Sequence, residues 1–295
     1  MTLRVMAGLT CRPYGPSVTT TATTTATTAT VGPLLRSWRE QRRLSQLALA
    51  DGAEVSTRHL SCVETGRARP SRGFLLHLAE HLDLPLRARN ELLVAGGFAP
   101  LYGQTDLDAP GMAQVRQALD LVLDHAAPYP ALVVDRHWDL VRANAGLAML
   151  LDGVHPSLLE PPVNVLRVSL HPLGMQPRLE DFDRYSSHVL AVLRREAAAL
   201  GDPALLGLHD ELAALEGVRT AGSHEPDGVV LPVRLRTPRG TLSFFTTAAR
   251  FGTAADVTLA ELTIESFFPA DEQTARLVTG AATDVRRAGA ARAAG

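Results

Sequence analysis

The stretch SQLALADGAEVSTRHLSCVE, residues 45–64, decides how this chain is read. Ser45 offers an N-cap side chain ahead of QLALA, and Ser56 repeats the signal ahead of TRHLSCVE, so two short helices flank a tight turn. In the second helix Leu60 and Val63 share one face, which turns inward. Ser56, Thr57, Arg58, His59 and Ser61 remain for the outer side, although they cannot all face one way. A first helix seated across a phosphate backbone and a second lying in a major groove make a helix-turn-helix. Arg58 has the reach for a bidentate contact with guanine, the kind that carries sequence information. Gln46, opening the first helix, reaches a phosphate with its amide, and Arg43, Arg67 and Arg69 flank the face as further phosphate contacts.

Working outward, Leu34, Leu35 and Trp38 give a one-faced helix before this motif. After Pro70 and Ser71, the residues Phe74, Leu78 and Leu82 repeat every four positions. DLPLRARNELLVAGG makes a fifth helix, stopped by Gly96 and Gly97. Residues 34–96 are therefore expected to form a small all-α, five-helix DNA-binding domain. Charge agrees: residues 34–100 carry ten Arg against seven acids, whereas 101–295 carry 17 Arg against 24 acids, with no lysine anywhere. The basic part suits double-stranded DNA and the acidic remainder does not.

The flanks are read more simply. The tract SVTTTATTTATTATV has neither charge nor apolar periodicity, so residues 1–33 are expected to be a disordered Thr/Ala-rich tail. The opening residues are too short in apolar character for a signal peptide, and no apolar run nears the ~20 residues of a membrane helix. With Cys11 and Cys62 alone, no disulfide framework or four-cysteine zinc site exists, which points to a reducing, cytoplasmic setting. At 295 residues, the chain has room for a second domain. Residues 97–111, rich in Gly, Pro and Asp, read as a linker to it.

Residues 112–275 read as an α+β domain with an antiparallel sheet. The run 112–126 is helical, PALVVD and WDLVRAN are short strands, and 181–201 and 203–215 are longer helices. Strands follow at 229–237, 241–251 and 257–268, with turns at Pro238-Arg239-Gly240 and near Gly252-Thr253. Val229, Leu231, Val233 and Leu235 alternate as in a half-buried strand. The last stretch, 276–295, has no clear core face and is expected to fray.

Three clusters imitate chemistry. HLAEH, with His77 and His81 on one helix face, matches a zinc-protease pattern but lies in the small helical domain without a third ligand, so it reads as surface histidines. His209-Asp210-Glu211 and Ser186-Ser187-His188 are consecutive on helices and point apart. No nucleophile elbow or phosphate-binding glycine loop is present, so no catalytic residue, metal or cofactor is expected and the chain does not read as an enzyme. Cys62, beside Leu60 and Val63, reads as a small core residue.

The residues Leu44-Ser45-Gln46, Leu49-Ala50, Val55-Ser56, Leu60-Ser61, Glu64, Gly66-Arg67 and Pro70-Ser71 resemble the Xre/Cro-type helix-turn-helix family of bacterial repressors, with a lambda-repressor-like fold. Glu54 departs from that pattern, which has a turn glycine there. A positive φ at Glu54 costs on the order of 1 kcal/mol, and a turn that avoids that region costs nothing. The continuation RPSRGFLLHLAEHLDLPLRARNELLVAGGFAPLY, with APYPALVVDRHWDLVRAN, PPVNVLRVSLHP, GDPAL and SFFPADEQTA, resembles the MmyB-like regulators. That resemblance implies a PAS-like second domain holding a fatty-acid-type ligand, within a regulator that reads a two-fold operator as a homodimer. A carboxylate head needs a donor, for which His171, Tyr185 and Arg142 are candidates; Asn144 and Asn164 are expected to hold the loops of the pocket. The alternative is a second domain that only dimerises or docks a protein. Trp138, Leu242, Phe244, Phe245, Phe267 and Phe268 suit either a core or a pocket.

Overall fold

The computed structural model describes residues 30–219 and 232–280. Most of the Thr/Ala tract, Val229, Leu231 and the end of the C-terminal stretch lie outside them. Five helices pack first: α1 (Val31–Gln41), α2 (Gln46–Gly52), α3 (Thr57–Glu64), α4 (Arg72–His81) and α5 (Leu86–Ala95). The first begins three residues ahead of the expected Leu34, because Val31 packs on the core and Gly32 is buried under α3. A Cβ on Gly32 would stand 2.5 Å from the Glu64 carbonyl oxygen. Ser45, Ser56 and Ser71 accept from the backbone N–H groups of Ala48, His59 and Phe74, as their N-cap positions require. Leu35, Trp38, Leu49, Leu60, Val63, Leu75, Leu78 and Leu92 close the core.

The helices leave by one device. After α2, Val55 N–H bonds the Ala50 carbonyl and Glu54 N–H that of Asp51, the paired bonds of a Schellman turn. Such a turn needs a left-handed residue, and Glu54 takes it with φ 51°. Arg43 (φ 57°) and Asp83 (φ 48°) do the same after α1 and α4. Glu54→Gly is expected to raise stability by up to about 1 kcal/mol, net of the entropy glycine adds to the unfolded chain. A thermal melt checks it, and a lower melting temperature would show that Glu54 carries no strain.

Residues 97–111 are threaded rather than loose. Asn90 Oδ1 accepts from the N–H groups of Leu101 and Tyr102, Leu107 is buried, and Thr105 donates to Asp256 from both its N–H and its hydroxyl. The second domain comprises α6 (Ala113–Ala126), β1 (Ala131–Val134), β2 (Leu140–Ala143), α7 (Val165–Leu170), α8 (Phe182–Leu200), α9 (Pro203–Ala213), β3 (Val233–Thr237), β4 (Gly240–Ala249), α10 (Val257–Ala260) and β5 (Thr263–Pro269). Among the described residues one antiparallel sheet runs in the order β2-β1-β5-β4-β3. Its β1–β5 pairing brings Ala131 to Ser266 and closes the domain.

Two expectations need correction. The run 257–268 is not all strand: Asp256 caps a turn of helix by accepting from Thr258 and Leu259, and extended backbone starts at Thr263. The stretch from 276 does not simply fray, since residues 272–280 are helical, Val278 is buried, and Thr274 accepts from the Ser243 N–H. Helix α6 covers one face of the sheet through Leu119 and Leu123 against Ala131, Val133 and Ile264. The other face, with Leu132, Val233, Leu235, Phe244 and Phe267, turns toward α7 and α8.

Candidate nucleic-acid interface and ligand cavity

On α3, Leu60, Val63 and Glu64 are buried and Arg58 is exposed, with Ser61 and Cys62 half-buried one turn on. Arg58 and Ser61 therefore share the outward stripe. Cys62 shares it too, which moves it from the expected core position. His59 is exposed but its ring packs edge-on against Phe74 at 4.7 Å. Thr57 is half-buried, and Ser56 spends an acceptor on its cap. Arg43, Arg67 and Arg69 are exposed, and among the described residues none of these arginines, nor Arg58, makes an ion pair. Arg72, at the start of α4, is a further exposed arginine that the sequence reading passed over.

Gln46 sits where expected, yet its Nε2 donates to Glu64 Oε2 at 2.8 Å. It belongs to a buried network. Arg39 Nε and Nη2 grip Glu64 at 2.7 and 2.9 Å, and Arg39 Nη1 donates to the Leu44 carbonyl at 2.8 Å. Burial alone would raise the Glu64 pKa; hydrogen bonds from Arg39 and Gln46, with the Arg39 charge, outweigh it and hold the carboxyl below its ordinary value. These contacts join α1, α2 and α3 and fix how α3 is presented. His77 Nε2 lies 2.6 Å from the Ala53 carbonyl and its ring 5.2 Å from that of His81, a structural role for the zinc-like motif. Among the described residues no group of three metal-ligating side chains forms.

In the second domain a cavity of about 180 Å³ lies between the sheet, α7 and α8. Leu132, Leu140, Leu147, Leu150, Val168, Val189 and Phe267 make most of its wall, and Tyr185, His188, Thr246 and Glu265 add polar groups. Tyr185 thus stands where the sequence placed it, its hydroxyl pushed up to about 12 by burial. Arg142 and His171 do not line the cavity: Arg142 pairs with Asp120 at 2.5 Å, and His171 Nδ1 accepts from the Leu173 N–H at 3.0 Å. Asn144 and Asn164 are buried loop ties. Asn144 accepts from Ala131 and donates to the carbonyls of Leu123 and Tyr129, while Asn164 caps α7 and donates to the His137 carbonyl and Asp139. His188 and Glu265 escaped the sequence reading, because both faces of β5 are largely apolar and alternation gives no inward side.

Comparison with known families gives two matches. A helix-turn-helix domain model matches residues 31–92, and the model described as the MmyB-like transcription regulator ligand binding domain matches residues 115–279. No curated protein matches the chain. Among the described residues no helix is long and apolar enough to cross a membrane.

Proposed function

The chain belongs to the MmyB-like transcription regulators, and from that premise we propose that it reads a two-fold operator as a homodimer and takes a small apolar ligand in its second domain. Its helix-turn-helix makes it a DNA-binding regulator. The observation that carries the DNA side of the reading is the group of exposed arginines around α3, none of them neutralised by an acid among the described residues. The apolar wall of the cavity supports the ligand. Self-association has its own support: Phe245 and Phe268 stack at 5.4 Å on the outward face of the sheet, both more than a third exposed.

Arg58→Ala is expected to cost roughly 1–3 kcal/mol on the operator and less on random DNA, since a base contact is lost. Arg67→Ala is expected to weaken both and to reduce the salt slope, since a phosphate contact is lost. Binding isotherms on both DNAs at several salt concentrations measure this. Equal losses for Arg58→Ala on the two DNAs would take it out of base reading.

A further inference from the structure

The cavity has the wrong charge for an anion. Its lining holds no arginine, the chain has no lysine, and its one ionisable acid, Glu265, makes no hydrogen bond or ion pair among the described residues. The cross-strand neighbours of Glu265 are Leu132 on β1 and Ala248 on β4, which offer it nothing. From α8 it meets Tyr185, His188 and Glu196. Glu196 adds a second negative charge close by. Arg250, the cation at the end of β4, is spent on Glu196 at 2.7 Å and on Thr263 at 3.0 Å. His188 has its pKa lowered by burial and by Arg195, an exposed residue outside the lining, so near neutrality it brings no charge. Three aromatic side chains, Trp138, Tyr185 and Phe267, share the wall with the carboxyl. A carboxylate among aromatic faces is the chemistry that recognises an ammonium group.

We propose that the cavity takes an amphiphile with a cationic, amine-type head seated on Glu265 among Trp138, Tyr185 and Phe267, its aliphatic body lying along the Leu and Val wall. The proposal rests on the ligand-binding reading of the second domain and replaces the carboxylate head that the family resemblance implies. Without a ligand, burial pushes the Glu265 carboxyl up to about 7, with Glu196 adding to the effect. A cation favours the ionised form, so binding releases a proton and tightens as pH rises through that value. An anionic head does the reverse.

The test is calorimetry on the full chain with decylamine, decanol and decanoate, each below its micelle concentration, at about pH 6 and about pH 8. Decylamine stays protonated at both, as its pKa is close to that of lysine. The expected result is decylamine binding at least about tenfold tighter than decanoate at the higher pH, and more tightly there than at the lower. Glu265→Gln should abolish that preference while decanol binding stays within about twofold, which also reports an intact cavity. Decanoate binding as tightly as decylamine, or a preference that survives Glu265→Gln, would overturn the cationic head and leave the ligand cavity standing. Failure of all three probes to bind would instead remove the ligand-binding reading, and the proposal with it.

Discussion

Glu64→Ala is expected to cost about 3–5 kcal/mol, enough to unfold the helical domain under conditions where the unaltered chain is folded. The size of the effect follows from what the substitution leaves behind. The Arg39 side chain is 9% exposed and that of Glu64 1%, so removing the carboxylate strands a guanidinium that water cannot reach. Gln46 Nε2 loses its acceptor as well. Glu64→Gln keeps the shape and loses the charge, and should fall between the two. Replacing both partners, Arg39→Met with Glu64→Leu, should cost much less than either single change, because no buried charge is then left unpaired. The network also has a pH signature. The folded Glu64 pKa lies below its ordinary value, so the stability it contributes is complete above the ordinary carboxylate range and is lost as pH falls through the folded pKa. Urea melts followed by Trp38 fluorescence, at neutral and acid pH, read both effects. A loss under about 1 kcal/mol for Glu64→Ala would mean that α3 is held by its leucines alone.

How much of this was legible depended on whether the controlling contact was local. Ser45, Ser56 and Ser71 each act three residues away, so their caps and the helix order followed from spacing. The left-handed exits at Arg43 and Asp83 did not, because composition marks such a turn only when it uses glycine; Glu54 was noticed through the family pattern alone. Arg39 and Glu64 are 25 residues apart, and nothing in a one-dimensional reading pairs them or takes Gln46 away from the phosphates. At Val257 the run VTLAELTIESFF satisfies a strand pattern, and Asp256 decides locally for a turn of helix. In the ligand domain chemical type suggested Arg142 and His171, but side-chain direction is settled by tertiary contacts: Arg142 goes to Asp120 and His171 to Leu173. Glu265 was hidden because a charged residue in a strand is ordinarily assigned to solvent.

The largest functional effect is expected where the two domains meet. A ligand signal was expected to travel through dimer geometry or the linker, yet α8 supplies a direct route. Tyr185, His188, Val189 and Val192 on α8 line the cavity, and the helix ends eight residues later, about 12 Å along its axis, against α1. There Gln41 and Arg42 donate to the carbonyls of Ala198 and Ala199, orphan acceptors in the last turn of α8. Gly201 follows with φ 63°, where a Cβ would lie 2.9 Å from the Trp38 ring, a rigid group buried in the helical core. A second clamp lies at Arg87, whose Nε and Nη2 each reach Glu261 at 2.7 Å. Any displacement of α8 by a bound ligand is therefore felt by α1, which carries Arg39 and through it α3. A typical coupling of about 1–3 kcal/mol predicts that a saturating amphiphile changes operator affinity by roughly 5–150-fold. Gly201→Ala forces a left-handed alanine against Trp38, costs about 1–2 kcal/mol locally and should unseat α8 from α1. The ratio of operator affinities with and without decylamine should then fall close to one, while decylamine binding and ligand-free operator binding stay within about twofold. Linkage gives an independent check: in the unaltered chain, saturating operator must change decylamine affinity by the same factor. A ratio unchanged by Gly201→Ala would show that coupling bypasses the α8–α1 contact, and the threaded segment 97–111, anchored on Asn90 and Asp256, would then be the route to break next.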